Sequence, residues 1–319
     1  MRVQALAREE VASAAGVMGR ALPLDVGVEA VAEEKLFGGD PVGRVGGVFG
    51  AWNDGGRLVG VAAWAGRWLK VLAVEPEARG RGVGAALLAA CEAAARAAGA
   101  AVLRTLDHPG NYVSPGLDDR YDHGWLLRRG YAVVERNRNL RVALGANPLV
   151  TRARADAAVA RAGAAGVRIV KVTSTSTSTS TSTSTSTSTS TSTSTELASV
   201  LALAERAFAP VWAFELARAA AHGDLFAAFA GDAAVAFAAI DGNNSGLGWF
   251  GPAGTLPDQR GRGLGEALLL ECLLAAEARG RDHAIIAWIG PEEFYRKVAG
   301  AVPDRSFVVL SRSLAGDSA

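Results

Sequence analysis

Arginine and glycine alternate in Arg79-Gly80-Arg81-Gly82-Val83-Gly84, and the same arrangement returns 181 positions later as Arg260-Gly261-Arg262-Gly263-Leu264-Gly265. Glycine at every second position permits a tight turn and leaves the backbone N–H groups uncovered. The Ala/Leu-rich helix expected after each run adds unpaired first-turn amides and the positive end of its dipole. With two arginines beside it, such a turn suits a phosphate. One glycine run alone is a weak signal, because a helix entry with solvated arginines reads the same way. Here the blocks Arg79 to Gly99 and Arg260 to Gly280 match at 13 of 21 positions, and the only two cysteines, Cys91 and Cys272, coincide. Alanine bias does not align Arg, Gly, Leu and Cys together, so the chain reads as one fold used twice.

A dinucleotide site of the Rossmann type competes for the first copy, where Gly80-x-Gly82-x-x-Ala85 fits loosely and Asp107 ends the next apolar strand. The second copy argues against it, with Glu266 in place of the third small residue and Ile289 where an acid is needed. In both copies a strand ending and a Pro precede the turn: Val74-Glu75-Pro76-Glu77-Ala78 before Arg79, and Thr255-Leu256-Pro257-Asp258-Gln259 before Arg260. This pattern resembles the acetyl-CoA loop, Arg/Gln-x-x-Gly-x-Gly/Ala, of the GCN5-related N-acetyltransferase (GNAT) family. The resemblance covers both halves and implies a tandem protein with acetyl-CoA as cosubstrate and an amine as acceptor. The fold it implies is α/β of the α+β kind, each domain a mostly antiparallel mixed sheet flanked by helices. It also implies that the amides of residues 79–84 and 260–265 hold the CoA pyrophosphate. The strands ending at Val74 and Thr255 would then pair with the pantetheine arm.

Acetyl transfer needs a neutral amine, a polarised thioester and a proton for the departing thiolate. The resemblance implies a tyrosine for that proton in the short helix after the fifth strand. Gly290-Pro291-Glu292-Glu293-Phe294-Tyr295-Arg296-Lys297 offers Tyr295, five residues before Gly300. A phenol of ordinary pKa near 10 is a reasonable donor to a thiolate. By the same spacing, Trp125 stands five residues before Gly130 in the first half, and an indole cannot serve as the acid. Tyr112 and Tyr121 are nearby phenols with no spacing argument behind them. For a base, Glu75 ends the first-copy strand where some family members keep a catalytic carboxylate, and its counterpart is Leu256. In the second copy Glu215, Glu292 and Glu293 are open candidates. No cysteine lies in the motif, so direct transfer in a ternary complex is expected, with the second domain catalytic. A catalytically silent acyl-CoA-binding or scaffolding protein is the alternative reading.

The elements that must position these residues follow from pattern and punctuation. Val45 to Trp52 and Leu58 to Ala65 alternate as a hairpin around Asn53-Asp54-Gly55-Gly56, and Trp68 to Val74 is a third strand. Val83 to Ala98 is expected as a helix stopped by Gly99, followed by a strand over Ala101 to Leu106. The second half repeats the order, with strands over 225–230, 233–240 and 247–254, a helix over 265–279, a strand over 284–289, a helix over 292–298 and a strand over 306–311. Expected boundaries are 1–146 for the first domain, 147–165 for a connecting segment and 166–315 for the second domain. Inside that domain the Thr/Ser alternation from Thr173 to Thr195 has no apolar face to bury and reads as a long surface loop.

Composition bounds the rest. The chain has 319 residues, half of them hydrophobic, enough for two cored domains without staples. A net charge of +1 gives no reason to expect nucleic acid as a partner. Four histidines without paired ligand spacing point away from a metal, and two cysteines at matching helix positions read as small buried residues. No leader-like or membrane-spanning pattern is read, so a cytoplasmic protein is expected. The acceptor, a small-molecule or peptide amine, is not legible, and a homodimer stays open.

Overall fold

The computed structural model describes residues 1–174 and 194–315. Its described residues divide into two compact units, residues 1–138 with those from 305 onward, and residues 139–304. Most of the Thr/Ser tract, residues 175–193, lies outside the described residues.

The first unit opens with β1 (Arg2–Ala5), α1 (Val11–Ala21) and α2 (Ala32–Phe37). A meander of β2 (Gly46–Trp52), β3 (Leu58–Ala65) and β4 (Trp68–Val74) follows, then α3 (Val83–Ala97) and β5 (Val102–Thr105). The short β6 (Leu117–Asp118) and α4 (Gly124–Leu127) precede β7 (Ala132–Ala143), whose residues from Asn139 belong to the second unit. That unit holds α5 (Arg152–Ala164), β8 (Val167–Val172), α6 (Ser194–Ala207), α7 (Pro210–His222), β9 (Leu225–Ala230), β10 (Ala233–Ile240) and β11 (Trp249–Thr255). It continues through α8 (Leu264–Ala278), β12 (His283–Ile286) and α9 (Glu292–Ala299) to β13 (Val302–Ser313), whose residues from Arg305 belong to the first unit.

Each unit is thus a mostly antiparallel mixed sheet between helices, as the family resemblance implies. In the first, β1, β2, β3 and β4 pair antiparallel in order, and β4 runs parallel to β5. In the second, β8, β9, β10 and β11 pair antiparallel, and β11 runs parallel to β12. The alternation of β9 decides what its faces bury. Phe226 and Ala228 join the core under α5 and α8, while Leu225, Ala227 and Phe229 join the core under α6 and α7. In the first unit α3 covers one face of the sheet and α1 and α2 the other.

The last strands depart from two consecutive halves split at residue 146. Ser311, Arg312 and Ser313 of β13 pair with Arg104, Leu103 and Val102 of β5, so the end of the chain closes the first unit. Residues 140–143 of β7 pair with β12 and close the second unit. Hydrophobic alternation marks both segments as strands but carries no information about which sheet takes them. One helix, α7, is absent from the sequence reading, although Pro210 at its start and Gly223 in the left-handed region after its end are standard punctuation. Cys91 and Cys272 are buried on α3 and α8 as expected, and burial pushes both thiols up. Among the described residues, no helix is long and apolar enough to cross a membrane.

Candidate active site

In each unit a strand feeds a 3-10 turn, then the glycine loop, then a 15-residue helix. Pro76–Ala78 and Pro257–Gln259 form the turns. Gly82 (φ 82°) and Gly263 (φ 76°) sit in the left-handed region directly before α3 and α8, where a side chain would be strained. A Cβ added to either would meet nothing within 4 Å, so the ground above each loop is open. The first amides paired at the helix starts are Ala86 to Gly82 O (3.0 Å) and Ala267 to Gly263 O (3.2 Å). The amides of Val83, Gly84, Leu264 and Gly265 therefore precede the helical ladder and have no intrahelical partner.

The arginines of the two loops make different contacts. Arg79 donates from Nε to Val74 O (3.1 Å) and from Nη2 to Ala21 O (3.0 Å). Arg260 donates from Nε to Thr255 O (3.4 Å). The first arginine of each loop thus ties the loop back to the strand that delivers it. Arg262 is directed to Gln259 Oε1 (2.5 Å) and Ala165 O (2.6 Å), while Arg81 is exposed.

Between the parallel strands of each unit the sheet opens. β4 and β5 pair at Trp68↔Arg104 and Leu69↔Thr105, and the last contact is the Leu106 amide to Leu69 O at 2.7 Å. Leu106 then takes φ 64° and the chain leaves, while Val71 to Val74 keep β3 as their partner on the other side. In the second unit, Trp249↔Ile285 and Phe250↔Ile286 are the paired positions, and Ala253 to Thr255 continue against β10. Among the described residues no strand pairs with the other edge of these segments. Each open edge leads from its glycine loop back to the fork, about 13 Å over four residues of strand.

Tyr295 stands at the fork of the second unit. Its ring lies edge-on to Phe250, 6.0 Å between centroids, and to Phe294 at 5.2 Å. It packs against the core under α8. Burial pushes its hydroxyl up to about 12, so the phenol holds its proton at neutral pH.

Contacts correct the equivalence between Trp125 and Tyr295 suggested by counting back from a glycine. A Cβ on Gly84 would lie 3.5 Å from Trp125 Cζ2, and one on Gly265 would lie 3.3 Å from Phe294 Cζ. Trp125 is therefore the positional partner of Phe294, and the next residue, Leu126, is the partner of Tyr295. The count slips because α4 ends in i→i−3 bonds, such as Arg129 N to Leu126 O, whereas Gly300 N reaches Arg296 O four residues back. The first unit still lacks a phenol at this place. Tyr112 is buried, and the Tyr121 hydroxyl accepts from Leu24 N (3.0 Å) and donates to Asp25 Oδ2 (3.3 Å).

Glu75 is wholly buried between two arginines. Its Oε1 accepts from Arg20 Nε (3.0 Å) and Nη2 (2.5 Å), and Arg57 Nη2 stands 2.7 Å from Oε2. That clamp was invisible in sequence, because Arg20 and Arg57 come from distant elements. In the second unit Glu293 is bound by Arg296 and Glu215 is buried on α7.

Two family models match, an acetyltransferase (GNAT) domain over residues 31–115 and the acetyltransferase (GNAT) family over residues 195–300. Each match contains one glycine loop. No curated protein sequence matches the chain. Among solved structures, a GCN5-related glucosamine N-acetyltransferase region of a fungal multi-domain GH3 β-N-acetylglucosaminidase superposes with a TM-score of 0.71 at 16% identity. That alignment covers 97% of this chain but 38% of the fungal protein. A tandem GNAT protein from the clavulanic acid biosynthesis pathway gives a TM-score of 0.65 at 15% identity, covering 99% of both chains. A GCN5-related N-acetyltransferase from Sphaerobacter thermophilus gives 0.60 at 16% identity, covering 98% of this chain and 95% of that one. At these identities the likeness establishes fold. Together with the two family matches, it shows that the chain belongs to the GNAT family and carries two of its domains.

Proposed function

We propose that the protein transfers an acetyl group from acetyl-CoA to a primary amine, with the second unit carrying the chemistry. Tyr295 at the fork carries this reading, because it places a protonated phenol where the open edge of β11 ends. The chain fits the cosubstrate at each part of its length. The open ground over Gly261 and Gly263 and the free amides at the start of α8 suit a pyrophosphate. The unpaired edge of β11 offers amide and carbonyl groups to an amide-bearing arm, as an added strand would use them.

Acetyl-CoA supplies an activated thioester. Strand β11 holds the arm extended, and the loop amides anchor its charged end. As the amine nitrogen bonds to the acyl carbon and the carbon–sulfur bond breaks, the Tyr295 hydroxyl gives its proton to the sulfur and regains one from solvent. In this reading the amine's own proton leaves to water; Leu256 replaces the strand-end carboxylate, and Glu293 is held by Arg296.

The first unit supports a second role, acyl-CoA binding without turnover. It keeps the loop and the open strand edge, but it has Trp125 and Leu126 where the second unit has Phe294 and Tyr295. A screen for thiol release from acetyl-CoA across small amines and peptides tests the proposal. Release with at least one amine supports it, and tight binding with no release across the panel favours the silent reading for both units.

A further inference from the structure

A buried carboxylate with two charged partners invites the question of what the partners do with their remaining N–H groups. Glu75 has no exposed surface, yet the side chains of Arg20 and Arg57 are 55% and 57% exposed. The carboxylate therefore acts as a fixed post that holds two guanidinium groups at the surface. One carboxylate against two guanidiniums leaves the group a net charge of +1. Removing Glu75 from water costs free energy, which the paired arginines offset, and their positions are settled before any ligand arrives.

The post stands beside the first glycine loop. Glu75 closes the strand that delivers the loop, four residues before Arg79, and Arg79 is hydrogen-bonded to Ala21 O, next to Arg20. Of the exposed carboxylates nearby in sequence, Asp54 pairs with the N-terminal ammonium, Glu77 lies in the turn, and Glu29 has its Oε1 against Gly19. Guanidinium forks pair with phosphate through two N–H groups each; Arg20 is hydrogen-bonded to the post through Nε and Nη2, and Arg57 stands at ion-pair distance from its other oxygen. The second unit has no such post, because Leu256 stands at the matching place.

The geometry points to Arg20 and Arg57 as a phosphate-monoester site of the first unit, with the 3′-phosphate of CoA as its occupant. It rests on the reading that the first glycine loop holds CoA. A phosphate can also come from a phosphorylated acceptor, and the test separates the two sources. In this account Glu75 is a positioning residue and does not abstract a proton.

The experiment uses the full chain carrying Gly263→Asp, which puts a strained, anionic side chain into the second loop. Calorimetry then compares CoA with 3′-dephospho-CoA. The expected result is one remaining site that prefers CoA by about tenfold or more, the scale of charge-assisted hydrogen bonds to one group. The variant Arg20→Gln/Arg57→Gln/Glu75→Gln, which removes post and arginines together so that no charge is stranded, should lose that preference and keep the dephospho-CoA affinity. Equal affinities, with inorganic phosphate competing against neither ligand nor protecting the fold, would overturn the inference while leaving CoA binding intact. Equal affinities, with inorganic phosphate raising the melting temperature of the parent but not of the triple variant, would keep the phosphate site and reassign its source. No CoA site at all in the Gly263→Asp chain would remove the reading of the first loop, and this inference with it.

Discussion

Leu310→Ala should loosen the first unit even though the residue lies nine positions before the last one. Leu310 has no exposed surface, belongs to the core under α3, and donates its amide to Thr105 Oγ1 at 3.0 Å. Truncating a buried leucine to alanine costs about 2–5 kcal/mol, depending on how far the cavity collapses. Since each 1.4 kcal/mol is about tenfold in an equilibrium constant, opening of the first unit should become about 30-fold more frequent even at the low end. Hydrogen exchange read peptide by peptide is the assay, because it reports opening free energies region by region. Peptides from β3, β4 and α3 should lose protection by that factor, while β9 and β10 stay near the parent. Leu268→Ala, a matching truncation in the buried core under α8, should give the opposite pattern. If Leu310→Ala instead loosens β9 and β10 and spares β3 to β5, the assignment of the terminal strand to the first unit is wrong.

Titration calorimetry of acetyl-CoA should detect two sites in the parent and one in either Gly82→Asp or Gly263→Asp; a silent Gly82→Asp would show that the first loop has no ligand. Acid should weaken the first unit from about pH 6.5 down to pH 4. Burial lowers the His108 pKa to about 4, so the unfolded chain binds the extra proton first and stability falls as pH falls through this window. The full effect is about 3 kcal/mol, and His108→Asn should flatten that part of a urea-midpoint curve; an unchanged slope would refute the assignment. Asp40, lowered to about 2 by hydrogen bonds from Arg44, Val42 and His108 that outweigh its burial, contributes stability that is lost only below about pH 4.

What was legible in the chain followed the range of the forces involved. The glycine loops could be read because a left-handed residue before a helix demands glycine locally, whatever the rest of the fold does. The hairpin around Asn53-Asp54-Gly55-Gly56 and the strands of the second unit could be read for the same reason, from turn chemistry and alternation. The destination of β13 could not, because Phe307 to Leu310 would satisfy the core of either sheet equally well by pattern. Glu75 showed its place at a strand end but not its clamp, since Arg20 and Arg57 reach it from α1 and from the turn just before β3. Counting back from the glycine pairs Trp125 with the wrong aromatic because it assumes equal helical winding, and α4 ends in tighter turns than α9.

In the proposed reaction Tyr295 serves as the proton donor of an acetyl transfer in the second unit. The most direct test of this role is the pair of constants measured for Tyr295→Phe: kcat for thiol release with an accepted amine, and Kd for acetyl-CoA. Phenylalanine keeps the ring against Phe250 and Phe294 and removes the hydroxyl alone. General acid catalysis contributes about 10²–10⁴-fold, so kcat should fall at least tenfold even where water substitutes in part, with Kd within about twofold of the parent. Trp125→Phe should leave kcat within a few-fold. An unchanged kcat in Tyr295→Phe, with turnover abolished by Trp125→Phe or Glu75→Gln, would place the chemistry in the first unit and contradict the account.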